Sequence, residues 1–297
     1  YQTQIDRWSP PQYALDKPFV NLTLLLDQGE QAQGQRWQES LSFQNLADIL
    51  TATPEQALVL LGSPGSGKST LLRHYELDNA KALLDQSTLL AKPLTLFASL
   101  NDYRGDPLPS PLEWLTEHWN EQKKICPALP DFDTALRDQR LTLLLDALNE
   151  IPTSHAKAIS IWRDFLRQIH RNYPGNRVIF TCRSLDYSAS LSSSDHPVPQ
   201  IRIESLSDEQ VQEFLNAYCT EYAETLWQNL KGTRQLELLR SPFYLKLLID
   251  QTQEGEVPQG RAALFSGFVR QALRREIQAE NPHFQTEGGL LNKREIL

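Results

Sequence analysis

The chain has 297 residues, 40% of them hydrophobic, which is material for about two domains with packed cores. A net charge of −8 and a pI near 5.3 argue against non-specific binding to nucleic acid or to anionic membranes. The three scattered cysteines (Cys126, Cys182, Cys219) and the six histidines form no disulfide or zinc pattern, and no apolar run approaches the roughly 20 residues of a membrane span or forms a signal peptide, so a reducing cytoplasm fits best.

In chain order, residues 1–17 read as irregular, 18–26 as a strand or apolar lead-in, and 41–52 as a short helix. From residue 57 strands and helices alternate in the manner of a parallel sheet. Strand 57–61 runs into a glycine-rich loop and a helix. Strand 93–100 follows, then helices at 110–122 and 131–138, strand 141–146, and a long amphipathic helix at 153–172. Strand 177–182, a Ser-rich loop at 188–194 and strand 200–204 close this part. Beyond Leu206 only helices are expected, at 208–219 behind a Ser207–Gln210 capping box, then at 221–231, 233–251 and 261–279. Gly288 and Gly289 mark a turn. Arg270, Arg274 and Arg275 read first as a solvated helix face. The chain contains no methionine, so Tyr1 is not an initiator, and the sequence is expected to be a segment of a longer protein. The expected fold is α/β, helices layered on a parallel sheet, followed by a helical subdomain. The expected division is a lead-in at 1–54 packed on the core, an α/β domain at 55–205 and a helical domain at 206–297.

Two stretches carry chemistry. Gly62-Ser63-Pro64-Gly65-Ser66-Gly67-Lys68-Ser69-Thr70 is a complete phosphate-binding loop between a buried strand and a helix. Its glycines let successive backbone N–H groups curl around phosphates, Lys68 reaches the β- and γ-phosphates, and the Ser69 hydroxyl takes a place on Mg²⁺. The second is Leu141–Glu150, a strand that ends in Asp146, where a nucleotide site needs a carboxylate to hold Mg²⁺ directly or through water. Small Ala147 lets the chain turn there, and Glu150 is placed to polarise an attacking water. From these residues alone the chain is expected to be a Mg²⁺-dependent nucleotide-binding domain, which makes the α/β part at 55–205 a three-layer P-loop NTPase sandwich with a parallel sheet.

The loop GSPGSGKST, the strand LTLLLDALNE and the later VIFTCRS together resemble the NACHT nucleotide-binding domains, which belong to the STAND class of signalling ATPases within the AAA+-like P-loop group. The resemblance covers about 55–275. It implies that Arg183, in Thr181-Cys182-Arg183, faces the γ-phosphate and distinguishes ATP from ADP. It also gives Pro242, in Arg240-Ser241-Pro242, a contact on the adenine, although a proline in the first turn of a helix needs no such role. Asn149 departs from the family, which usually carries a second acid there. Hydrolysis then leans on Glu150 and is expected to be slow. The resemblance implies ATP rather than GTP, and a switch in which ADP holds a closed monomer and ATP favours an open form that self-associates. Effector and sensor modules, and the family's winged helix, would lie outside this segment, in a protein of regulation or defence. Three other readings stay open: a non-hydrolysing scaffold that keeps its nucleotide, a mechanical AAA+ ATPase, and a metabolic P-loop kinase, which the all-helical tail fits least.

Overall fold

A computed structural model of the chain describes residues 2–8, 20–27, 37–84, 94–193 and 195–252, with scattered positions between 260 and 290. The chain divides into two compact units, Tyr1–Leu206 and Ser207–Leu297.

The first unit is built on a seven-stranded sheet in the order β2-β1-β7-β3-β6-β5-β4. Its strands are β1 (Leu24–Asp27), β2 (Trp37–Phe43), β3 (Ala57–Gly62), β4 (Leu94–Ser99), β5 (Leu141–Asp146), β6 (Arg177–Arg183) and β7 (Gln200–Ile203). Strands β3 to β7 run parallel. The sheet is nonetheless mixed rather than parallel throughout. β1 pairs antiparallel with β7, Leu24 opposite Ile203, and β2 pairs antiparallel with β1. Two further expectations need correcting. Residues 37–43 form the edge strand β2, so the helix expected at 41–52 is confined to α2 (Leu46–Ala52), where the Asn45 side chain accepts from Asp48 N and starts the first turn. Residues 2–8, read as irregular, form helix α1 (Gln2–Trp8).

The central strands are buried on both faces, which is why they read as continuous apolar runs. Period-two alternation sorts them. Val59, Leu61, Leu96, Ala98, Leu143, Leu145, Val178 and Phe180 pack in one core with the apolar faces of α4 (Pro111–Ile125), α5 (Phe132–Arg137) and α6 (His155–Asn172). Trp162 of α6 is fully buried there, edge-on to Tyr103, Phe165 and Phe180 at 5.3, 5.3 and 5.6 Å between ring centroids. Helix α3 (Lys68–Leu84) lies against β3, β4 and β5, and its Leu77 joins Trp8 in a separate cluster with Phe97. Phe97 alternates with Leu96 and Ala98, so α3 covers the other face and the layers are helix, sheet, helix.

The second unit contains α7 (Asp208–Tyr218), α8 (Ala223–Leu230), α9 (Arg234–Leu239) and α10 (Pro242–Thr252). Ser207 and Gln210 form the capping box that opens α7. The single helix expected over 233–251 is broken after Leu239, because Pro242 has no N–H to continue an existing helix but suits the first position of a new one. Arg240, between the two helices, reaches back to Asp208 at 2.7 Å. The helix expected at 261–279 lies largely outside the described residues, as do Arg274, Arg275 and Gly288. Gln285–Thr286 and Gly289–Leu290 pair as a small antiparallel ladder.

Candidate functional site

The parallel register brings four strand ends to one edge of the sheet. Gly62 ends β3 opposite Arg183 at the end of β6, and Asp146 ends β5 opposite Ser99 at the end of β4. Open α/β sheets bind ligands at this carboxyl edge. Gly62–Thr70, Asp146, Glu150 and Arg183 are thereby gathered, whereas Pro242 belongs to the second unit, as the first residue of α10.

The loop after β3 turns through a Ser66 N–H bond to the Ser63 carbonyl at 3.1 Å, and α3 starts with Leu71 N donating to Gly67 O at 2.8 Å. Two glycines are required by this path, Gly65 and Gly67, whose φ of 78° and 95° lie in the left-handed region, and a Cβ on Gly62 would force the Ser66 hydroxyl aside. Lys68 opens α3, and its ammonium donates to the carbonyls of Gly62 and Ser63, both at 2.9 Å. Burial holds the Lys68 pKa below the ordinary lysine value, an effect opposed by the nearby Asp146 carboxylate. Ser66 Oγ is buried and, among the described residues, has no hydrogen-bond partner. Ser63 and Pro64 stand exposed, while Gly65, Ser69 and Thr70 are half-buried. A cradle of glycines, an orphaned hydroxyl, a lysine and a helix N-terminus fit a phosphate chain.

Asp146 is buried, and its Oδ1 accepts a 2.6 Å hydrogen bond from Thr181 Oγ1 on the adjacent strand. Ala147 then turns the chain in the left-handed region, with φ of 64° and ψ of 53°, which costs a residue with a Cβ about 1–2 kcal/mol. The turn is held because Ala147 N donates to the same Thr181 hydroxyl at 2.8 Å. It delivers Leu148–Glu150 as one turn of 3₁₀-helix aimed across the tip of β6. There Asn149 Oδ1 accepts from Arg183 N at 3.1 Å, and Arg183 Nη2 pairs with Glu150 Oε1, also at 3.1 Å. Both side chains of that pair are more than two-fifths exposed, so the contact is a weak one. Cys182, between Thr181 and Arg183, is buried, and its pKa is pushed up to about 12, so it stays a thiol.

Thr181 and Asn149 are the contributions that reading the sequence for chemistry did not assign. Thr181 carried a signal, since a threonine amid an otherwise apolar strand sits beside the strand ending in Asp146. The Asn149 contact had none, because its partner is a backbone group 34 residues away.

The fold and this edge define a phosphate-loop nucleotide-binding domain, with the strand that ends in Arg183 set between the loop strand and the strand that ends in Asp146. Residues 56–222 match the NACHT domain, and the chain belongs to that family. Membership supports nucleotide binding by this chain. No curated protein matches the chain in sequence. Among solved structures it is similar to the Walker-type ATPase PABY2304 of Pyrococcus abyssi, at 11% identity and a TM-score of 0.48 over 80% of this chain and 75% of that one. It is also similar to AMPPCP-bound DnaA from Aquifex aeolicus, at 15% identity and a TM-score of 0.37 over 70% of this chain and 62% of that one. A third is PCH-2 of C. elegans, at 15% identity and a TM-score of 0.33 over 57% of this chain; the chain spans 41% of that protein's length. At these distances the likeness is one of chain path and says nothing of chemistry. Among the described residues no helix is long and apolar enough to cross a membrane.

Proposed function

We propose that this chain is a nucleotide-operated switch that binds ATP and ADP with Mg²⁺ and hydrolyses ATP slowly. The observation that carries the reading is the convergence of the Gly62–Thr70 loop with the tips that bear Asp146, Glu150 and Arg183 on one sheet edge. Bound Mg²⁺–ATP supplies a phosphoanhydride whose terminal phosphoryl group can pass to water. The rest falls to the chain's own groups. Backbone N–H groups of residues 62–70 and the α3 N-terminus hold the phosphates, and Lys68 neutralises their charge. Ser69 and Asp146 are the metal ligands, Asp146 kept in one rotamer by Thr181. Glu150 orients water, and Arg183 responds to the third phosphate through charge-assisted bonds that a diphosphate does not offer. The adenine contact of Pro242 belongs to this proposal, as does a division of labour between nucleotide-binding and helical domains at residue 205.

A switch requires unequal affinity of its two states for ATP and ADP. Arg183 supplies a difference of that kind, since its guanidinium can bond a third phosphate and its exposed pair with Glu150 is weak enough to yield to one. In the ATP state the chain self-associates, as part of a larger regulatory or defence protein of the cytoplasm whose effector and sensor modules flank it. The test is sedimentation and phosphate release with ATP, with ADP and with neither. Larger species and slow turnover with ATP alone are expected; identical mass in all three would defeat the switch. The non-hydrolysing scaffold is the second reading. It is favoured by Asn149, which cannot accept a proton and is already engaged by Arg183 N, and retained nucleotide without any phosphate release would establish it.

A further inference from the structure

Away from the sheet edge the first unit contains a fully buried carboxylate that nucleotide chemistry does not use. Glu76 lies in the middle of α3, and four donors converge on it. Trp8 Nε1 donates to Oε2 at 2.6 Å, Gln4 Nε2 to Oε1 at 3.1 Å and Thr95 Oγ1 to Oε1 at 3.2 Å, while the Arg7 guanidinium stands 4.0 Å away. Three of these four come from α1, whose spacing of Gln4, Arg7 and Trp8 sets them on one helix face. Gln4 also donates to the hydroxyl and carbonyl of Thr95 on β4, at 2.7 and 3.1 Å. Around the polar centre Trp8 packs on Leu77, with Ile5 and Phe97 against them. Arg73, one turn nearer the phosphate loop, lies over both the Trp8 and Phe97 rings at 5.2 and 5.7 Å.

We propose that α1 is a releasable brace on α3, and that its docking and nucleotide binding at the phosphate loop strengthen one another. The inference rests on the nucleotide reading above. The docking of α1 on α3 rests on Gln4, Arg7 and Trp8 and on the apolar cluster around Trp8. Docking buries a carboxylate, a cost that the donors of α1 and the packing of Trp8 offset, so loss of those donors weakens the brace. Burial also pushes the Glu76 carboxyl above its ordinary value, as expected of a group held at a cost. Glu76 lies eight residues from Lys68 on one continuous helix, about 12 Å along its axis. Any ordering of the first turns of α3 by a phosphate chain therefore also sets Arg73 and Glu76 for α1, and by linkage the converse holds.

Trypsin reads the docked state directly, because it cuts after Arg7, inside α1. Cleavage at that bond is followed by mass spectrometry of the intact chain without nucleotide, with Mg²⁺–ADP and with Mg²⁺–ATP, while affinity is measured separately with a fluorescent ATP analogue. Nucleotide is expected to slow cleavage after Arg7 about fivefold or more. A Gln4→Ala, Trp8→Phe double variant, which keeps the apolar ring, is expected to be cut faster and to bind nucleotide more weakly by a similar factor. Nucleotide that binds the parent yet leaves the Arg7 cut unchanged overturns the brace alone, and so does a double variant with parental affinity. A parent that binds no nucleotide overturns the underlying reading and this inference together. If the variant does not fold, the nucleotide response of the parent decides the question.

Discussion

Replacing Thr181 with valine keeps the shape of the side chain and removes one hydroxyl that serves two partners. Asp146 loses a 2.6 Å bond to a charged acceptor, worth about 1.5–3 kcal/mol, and Ala147 N loses a 2.8 Å bond worth about 0.5–1.5 kcal/mol. Together these put Thr181→Val about 2–4.5 kcal/mol below the parent, and the site is too buried for water to restore the bonds cheaply. In a domain of this size that is a fall in Tm of roughly 4–18 °C. The same loss frees the Asp146 carboxylate and the strained turn at Ala147, so the Mg²⁺ dependence of nucleotide binding weakens as well. Urea and thermal unfolding followed by circular dichroism measure the first effect, and titration of nucleotide affinity against Mg²⁺ measures the second. Thr181→Ser keeps the hydroxyl and should retain most of both. A valine variant as stable as the parent, or a serine variant as damaged as the valine one, would refute the reasoning.

Asn149→Ala removes the acceptor for Arg183 N and should narrow the ATP-over-ADP preference about fivefold, whereas Asn149→Asp should keep it; competition binding compares them. Of the three cysteines only Cys126 is partly exposed, while burial raises the pKa of both Cys182 and Cys219. A disulfide reagent at pH 8 should therefore label one thiol in the folded chain and three after denaturation. Glu76 gives a pH signature. Its folded pKa lies above the ordinary 4.5, so between those values the folded chain holds a proton that the unfolded chain has lost, and stability falls as pH rises through that window. The groups that face it are Arg7 from α1 and the Thr95 hydroxyl from β4, with Arg73 behind Trp8. Glu76→Gln should flatten that slope in unfolding curves taken between pH 4 and pH 8.

The parts of this molecule that were legible in the sequence are those whose cause is local. Ala57–Gly62 followed by a glycine loop and Lys68 declares a strand, a turn and a helix within 20 residues, and the Ser207–Gln210 box declares the start of α7 in four. What stayed hidden depends on distant partners. Nothing within Leu24–Asp27 announces that it pairs antiparallel with Gln200–Ile203, and Trp37–Phe43 becomes a strand only because β1 lies beside it. Gln2–Trp8 packs on a helix whose Glu76 accepts from Trp8 across 68 residues of chain. The site divides in the same way. Its loop and its strand-end acid were readable as motifs and Thr181 stood out in its strand, while the bond by which Asn149 holds Arg183 N leaves no local mark.

Direct binding of Mg²⁺–ATP to the chain and to its Lys68→Ala variant, measured by titration calorimetry, bears on all of this at once. The parent should bind one nucleotide per chain, and the variant, deprived of the ammonium at the start of α3, should bind at least tenfold more weakly or not at all. A parent that binds nothing, or a variant that binds as tightly as the parent, would show that the loop at Gly62–Thr70 is not a nucleotide site.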